Sequence, residues 1–387
     1  MNTKVAVLGQ GYVGLPLALA AAESGYEVVG IDSDASRVES LNAGRSHIGD
    51  VADEYLRAQQ NNYRATSDFR EASNADLAVL CLPTPLNANG GPDTSLLINA
   101  AKKISRHLPA HALVINESTV SPGFTRDFLV PIFSGRELAY SPERIDPANK
   151  KWTVKNTPKL IAATSETARN RAVEFYSKFV SSISSYSSLE IVETAKLLEN
   201  SFRLVNISFI NEIAEFCDKM GISIQEVISA ASTKPFGFMP FYPSIGVGGH
   251  CIPLDPHYLV AKAQEIGSPT RFIDLATQIN VERPSYFVGI ATGILGGLQN
   301  KKIIIVGVAY KPDVADTRET PAKKLISLLR TAGAEVFWHD ELVMEWNGER
   351  SSPLTLEYDL VILLNPHTGT DVRSMGGVPI LDTRGSS

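Results

Sequence analysis

Three observations predict an α/β chain in which two Rossmann-like doubly wound domains are joined by an α-helical central domain built on a long helix. A short β-branched run, Lys4 to Leu8, enters a glycine turn and then a helix-forming segment. Residues Leu189 to about Met220 keep up helical periodicity for longer than an ordinary helix, and at Lys301 a second strand, glycine turn and helix begin. With 387 residues the chain has room for two or three domains. The expected boundaries are 1–188, 189–295 and 296–387.

Composition narrows the class. Hydrophobic content of 44% and charged content of 20% are those of a soluble globular protein. A net charge of -6 argues against general nucleic-acid binding while leaving room for a local basic pocket. The three cysteines, Cys81, Cys217 and Cys251, are far apart and form no CxxC pair or zinc-ligand spacing, so no metal site is expected and a reducing cytoplasm fits. No secretory leader and no membrane span are expected, since MNTKVAVLGQG lacks a leader's longer apolar segment and cleavage site and no apolar run reaches membrane-spanning length.

In the first domain the turn reads Gly9-Gln10-Gly11-Tyr12-Val13-Gly14, followed by LPLALAAAES and a second apolar run, Tyr26 to Ile31, ending at Asp32. Strand, GxGxxG, helix, strand and acid in this order form a dinucleotide-binding pattern. Gly9 makes the turn, Gly11 admits a pyrophosphate, Gly14 lets helix and strand pack, and the helix N-terminus attracts the phosphates. Asp32 is placed to accept from a ribose 2′-hydroxyl, which favours NAD over NADP; Arg37 points the other way. Two further buried-strand runs, Asp76 to Leu82 and Ala112 to Asn116, end near Thr84 and near Ser118 and Thr119. Their hydroxyls would meet the nicotinamide half of the cofactor or, equally, cap the next helix. After the strand Leu138 to Tyr140 comes Ser141-Pro142-Glu143-Arg144, where Glu143 is a candidate general base or a plain surface glutamate.

On the long helix, Lys196 and Asn200 stand four apart and share a face, with Arg203 and Asn206 near it. They line a polar cavity or form a solvated stripe. The stretch Phe241 to Leu259, FYPSIGVGGHCIPLDPHYL, suits neither helix nor strand interiors, because Gly246, Gly248 and Gly249 precede Cys251 and Pro253, Asp255 and Pro256 follow it. A shaped loop of this kind would hold the thiol at a cavity edge as a nucleophile. A lone cysteine is otherwise often a small buried hydrophobe. Helices are expected over Tyr258 to Ile266 and Thr270 to Val281, with Arg271 a phosphate or sugar ligand or a surface charge at a helix start.

In the last domain, KKIIIVGVAYKPDVADTRETPAKKLISLL places Lys311, Asp313, Asp316 and Arg318 in one loop, and strands are expected at Glu335 to His339, Leu360 to Leu364 and Pro379 to Leu381. The turn lacks GxGxxG, so no second dinucleotide is indicated; the basic residues would suit a nucleotide diphosphate.

Five ordered segments, GQGYVGLPLA, SPER, ETAKLLEN, FMPFYPSIGVGGHCIPLDP and KPDVADTRETPA, resemble the nucleotide-sugar 6-dehydrogenases, the UDP-glucose/GDP-mannose dehydrogenase family. The GGHCIP wording looks like the UDP-N-acetylhexosamine branch. The resemblance implies a four-electron oxidation of the sugar 6-hydroxymethyl to a carboxylate with two NAD, UDP-N-acetylglucosamine being the first choice of substrate and surface polysaccharide supply the purpose. It implies Cys251 as the nucleophile that forms a thiohemiacetal and then a thioester. It assigns Glu143 to thioester hydrolysis and Lys196 and Asp255 to the first oxidation, with Lys196 and Asn200 as oxyanion donors. By the same resemblance Thr84, Thr119 and Arg318 touch NAD, Lys196, Asn200, Gly248, Lys311 and Arg271 touch the UDP-sugar, Thr119 also serves the chemistry, and the central domain makes a homodimer. Where many members have Pro-Gly-Pro-Gly, this chain has Pro243-Ser244-Ile245-Gly246, and the segment between Asp340 and Leu360 is short.

Three other readings compete. A two-electron dehydrogenase of the 3-hydroxyacid or 6-phosphogluconate type would need neither the cysteine nor a second nucleotide-fold domain. A silent NAD or nucleotide-sugar binder would have no use for Cys251, Lys196, Glu143 and Asp255 together. UDP-glucose as substrate is separated only by assay.

Overall fold

The computed structural model describes residues 3–385 apart from 147, 148, 150, 356, 373 and 374. Its backbone falls into two units, Met1–Leu198 with His257–Gly267, and Glu199–Pro256 with Ser268–Ser387.

The first unit is built on eight strands: β1 (Lys4–Leu8), β2 (Glu27–Ile31), β3 (Tyr63–Thr66), β4 (Leu77–Leu80), β5 (Leu113–Asn116), β6 (Leu138–Tyr140), β7 (Lys159–Ala163) and β8 (Ile183–Ser185). They form one sheet in the order β3-β2-β1-β4-β5-β6-β7-β8, parallel throughout except between β6 and β7. The order reverses at β1, the switch point where such sheets bind ligands beyond the strand ends. Helices cover both faces: α1 (Gly14–Glu23), α2 (Ala35–Asn42), α3 (Asp53–Ala58), α4 (Ser95–Ser105), a single turn α5 (Val130–Ile132) and α6 (Glu166–Ser177). Side chains alternate along each strand, so Val5, Val7, Val79 and Ile115 pack with α1 and α6, while Ala6, Leu8, Leu80 and Val114 pack with α4. A sheet buried on both faces reads as a continuous apolar run, which is why β1, β4 and β5 are visible in the sequence. Strands β3, β7 and β8 were not expected; β3 and β8 are short and carry exposed or polar residues such as Arg64 and Ser185, and β7 opens on a lysine.

Helix α7 (Leu189–Met220) is continuous over the expected stretch. In the second unit, α8 (Ile224–Ser232) starts on a Ser223 cap and packs Ile224 and Ile228 against Ile210, Ala214 and Cys217 of α7. Helix α9 (Asp255–Glu265) starts three residues earlier than expected, at Asp255. Helix α10 (Arg271–Leu295) continues well beyond Val281, where the sequence reading stopped, and contains Pro284. A proline inside a helix removes one amide donor, here the one that would reach the Asn280 carbonyl. That carbonyl faces Gly246, which has a positive φ of 138° and no side chain in the way. Burial of Arg283, Pro284, Phe287 and Ala291 then carries the helix past the break.

The second unit also holds a four-stranded parallel sheet in the order β10-β9-β13-β14: β9 (Lys302–Val306), β10 (Glu335–His339), β13 (Leu360–Leu363) and β14 (Ile380–Asp382). A small hairpin, β11 (Glu345–Trp346) with β12 (Glu349–Arg350), fills the short segment before β13, and α11 (Ala322–Thr331) covers one face. Among the described residues no helix is long and apolar enough to cross a membrane.

Candidate active site

The glycine turn after β1 has the geometry its spacing predicts. Gly9 has a φ of 83° and its N–H donates to the Ile31 carbonyl at 2.8 Å. A Cβ on Gly14 would lie 1.8 Å from the Gly9 carbonyl oxygen, whereas one on Gly11 would meet nothing within 4 Å. Gly14 therefore serves packing, and Gly11 leaves an open cradle. Helix α1 begins there with no side-chain cap and no acid in its first turn, so nothing on it opposes an anion at its positive end. Val13 packs on the core and Tyr12 is exposed. Asp32 is buried; its Oδ2 accepts from the Gln10 N–H at 2.8 Å and from Arg37 Nη1 at 2.9 Å, and its Oδ1 from the Asp34 N–H. Arg37 is thus tied to Asp32 rather than left open for a 2′-phosphate. Burial and the Arg37 charge hold nearby His47 below the ordinary imidazole value. This donor set and cradle fit NAD.

At the ends of β4 and β5 the hydroxyl residues are braced. Thr84 Oγ1 donates to the Thr119 carbonyl at 2.9 Å, and Ser118 Oγ accepts from the Leu82 N–H at 2.9 Å; neither caps a helix. Tyr258 of α9 donates its hydroxyl to the Thr84 carbonyl at 2.8 Å. Buried Glu193 of α7 accepts from the Gly123 and Thr125 N–H groups and so fixes the loop after Thr119; burial raises its pKa. Glu143 is not a plain surface residue. Its Oε1 accepts from the Arg144 N–H at 2.5 Å and the Ile145 N–H at 2.7 Å, and its Oε2 lies 3.4 Å from Lys159 Nζ.

Lys196 and Asn200 stand one turn apart on α7, Lys196 buried and Asn200 half-buried. Asn200 Nδ2 donates to Asp255 Oδ2 at 2.5 Å, which brings two of the expected residues together. Cys251 is exposed and in no disulfide, in the turn that enters α9; its carbonyl accepts from the Asp255 N–H at 2.8 Å and the Leu254 N–H at 3.2 Å. The glycines before it serve close packing: a Cβ on Gly248 would lie 2.9 Å from the Glu319 carbonyl oxygen, and Gly249, with φ 84°, donates its N–H to the Arg318 carbonyl. Burial and Arg318 lower the pKa of His250. Arg318 is ion-paired with Asp316 at 2.6 Å, Lys311 places its ammonium over the Tyr310 ring, and Arg271 stands exposed as the first residue of α10.

Sequence reading passed over Lys159, Tyr176, Gln10 and Asn280. A lysine directly before the apolar run LIAA is the one signal that marks Lys159. Tyr176 and Asn280 look like ordinary helix residues until the fold places them. Among the described residues no group of three or more His, Cys, Asp and Glu is disposed to hold a metal.

A doubly wound sheet with an open dinucleotide turn, followed by helices and a second parallel sheet, defines a nucleotide-dependent dehydrogenase architecture. Residues 3–180, 190–282 and 304–385 match, in turn, the NAD binding, central and UDP binding domains of the UDP-glucose/GDP-mannose dehydrogenase family. The chain belongs to that family and is an NAD-dependent nucleotide-sugar dehydrogenase. It is 34% identical to the UDP-N-acetyl-D-mannosamine dehydrogenase of Pyrococcus horikoshii, over 88% of this chain and 84% of the relative. It is 33% identical to a UDP-N-acetyl-D-glucosamine 6-dehydrogenase of Pseudomonas aeruginosa, over 97% and 92%. A solved UDP-D-ManNAc dehydrogenase from Pyrococcus horikoshii superposes with a TM-score of 0.90 at 30% identity, over 99% of this chain and 95% of the other.

Proposed function

We propose that the chain oxidises the 6-hydroxyl of a UDP-N-acetylhexosamine to the carboxylate through a covalent intermediate on Cys251, supplying precursors of surface polysaccharide. The observation that carries the reading is the exposed Cys251 thiol, in no disulfide, in the turn whose backbone is bonded to Asp255, itself held by Asn200. UDP-N-acetylglucosamine is the first substrate to test, supported by the relative that aligns over 97% of this chain; UDP-N-acetylmannosamine and UDP-glucose follow. The division into a cofactor domain at 1–188, a helical domain at 189–295 and a UDP-binding domain at 296–387 goes with this reading.

When bound, NAD supplies the hydride acceptor for each of two successive oxidations. Gly11 and the first turn of α1 hold the pyrophosphate, and Asp32 takes a ribose hydroxyl, with Tyr12, Val13, Arg37, Thr84, Thr119 and Arg318 around the cofactor. Lys196 and Asp255 manage the alcohol proton in the first step. The Cys251 thiolate then bonds the aldehyde carbon, and Lys196 and Asn200 stabilise the oxyanion from which the second hydride departs. Glu143 takes a proton from a water whose oxygen bonds the thioester carbon. The C–S bond breaks with its electron pair going to Cys251, and the uronate leaves. Arg271, Gly248 and Lys311 hold the UDP-sugar. With limiting UDP-N-acetylhexosamine and excess NAD, two NADH per sugar are expected at completion. One NADH per sugar, or none with any of the N-acetylhexosamine epimers, would sink the four-electron reading on these substrates.

The same reading includes a homodimer through the central helices. Phe202, Phe209 and Phe216 recur every seven residues along α7, so they share one face, yet they are 48%, 57% and 58% exposed. A stripe of outward-facing phenylalanines fits a second copy of the same helix. Phe209→Glu with Phe216→Glu should sediment at the mass of one chain while the parent sediments as two. A parent that already runs as a single chain would remove the dimer.

A further inference from the structure

A buried group of charges lies behind Glu143 in the first unit. Lys159, the first residue of β7, sets its ammonium 2.7 Å from Glu117 Oε2, at the end of β5, and 3.4 Å from Glu143 Oε2. It also lies 3.4 Å from the Pro142 carbonyl oxygen and over the ring of Tyr176 on α6. The Tyr176 hydroxyl donates to the other Glu117 oxygen. The Lys159 and Glu117 side chains are 5% and 0% exposed.

Burying two carboxylates and an ammonium is no economical way to stabilise a fold, because desolvation offsets most of their attraction and apolar side chains of similar size do as well. The cluster therefore calls for a second purpose, and its outer member supplies one. One oxygen of Glu143 is held by two amides of its own loop, and the other faces Lys159.

We propose that Lys159, anchored from behind by Glu117 and Tyr176, is a positioning residue for Glu143, fixing the orientation of its carboxylate and supplying the positive charge beside it. This rests on the reading of Glu143 as the base of thioester hydrolysis. The ionisable groups around the pair are Glu117 on β5, Cys81 after β4, Tyr176 on α6 and Arg144 in Glu143's own loop, whose Nη1 donates to the Pro158 carbonyl. Burial pushes the Cys81 thiol and the Tyr176 phenol well up, so both stay neutral through the working range. Burial also drives Glu117 up to about 7, against the pull of Lys159 and with a further push from Glu143, so Glu117 changes charge near neutrality and the two carboxylates sense each other.

Two variants of the full-length protein test the proposal. Lys159→Met combined with Glu117→Gln removes both inner charges without leaving either one buried alone. It is expected to lower kcat about 10–100-fold with both KM values within about twofold, since part of the general-base contribution is lost. Hydrolysis then limits turnover, so a burst of NADH should precede the slow phase, and the acid limb of the kcat profile should move to higher pH. Glu117→Gln alone keeps the ammonium, and because Glu117 is already protonated across the acid limb, that limb should stay at its wild-type position. A limb that moves only when the ammonium is removed is a signature that a merely structural cluster does not produce. An acid limb in Glu117→Gln that moves to higher pH overturns the proposal whether or not the double variant folds, as does a double variant whose acid limb is unmoved or whose loss lies only in KM. Wild-type kcat in Glu143→Gln would instead overturn the underlying assignment of the base, independently of how Lys159 behaves.

Discussion

Cys251→Ala should lower formation of the uronate at least about 10³-fold, because the second oxidation loses the sulfur that holds the aldehyde and there is no other route to a thioester. At 1.36 kcal/mol per tenfold, that is about 4 kcal/mol of barrier, more than any single hydrogen bond at the site supplies. NAD binding should persist, since the glycine turn and Asp32 are far along the chain from the loop. Limiting sugar with excess NAD should give no more than one NADH, with any oxidised sugar released as aldehyde and detectable by a carbonyl reagent. Two NADH per sugar from Cys251→Ala would end the covalent mechanism.

Gly14→Ala should be the most disruptive single methyl in the cofactor turn. The added carbon would sit 1.8 Å from the Gly9 carbonyl oxygen and 3.1 Å from the Cys81 Cβ, one of them backbone that cannot swing aside. Relief requires opening the turn that Gly9 closes on Ile31. A penalty of about 3 kcal/mol is expected, which amounts to roughly 6–12 °C in the apparent Tm. Stabilisation by added NAD should vanish with it. Gly11→Ala is the contrast, because its methyl enters open space: the Tm without cofactor should stay put while KM for NAD rises. Equal Tm values for parent and Gly14→Ala in a thermal scan would refute the packing role.

Much of the fold was legible because its central strands are buried on both faces and therefore appear as unbroken apolar runs, as at Lys4–Leu8 and Leu113–Asn116. The strands beyond β6 were not. Lys159–Ala163 begins with a charged residue, and Ile183–Ser185 is three residues long and ends in serines, which local pattern cannot separate from a loop. The end of α10 was misplaced because Pro284 is a stop signal by local rules, and only the burial of Phe287 and Ala291 beyond it overrides that signal. At the site, the glycine turn and the loop around Cys251 announce themselves through residue types that are unusual anywhere else. The pairing of Asn200 with Asp255, and of Lys159 with Glu117 and Glu143, depends on which strand ends and turns meet, and chain spacing carries no record of that.

Each unit ends its second strand on an acid that braces a glycine turn, but the two acids differ in what is left to offer. Asp340 follows β10, and its Oδ2 accepts from the Val308 and Ala309 amides, while its Oδ1 accepts from the Leu342 and Val343 amides and meets His367 Nε2 at 2.7 Å. Its carboxylate is saturated and its side chain wholly enclosed, so a sugar hydroxyl arriving at that corner would find no vacant acceptor. The repeated scaffold is therefore not a repeated receptor for a ribose hydroxyl.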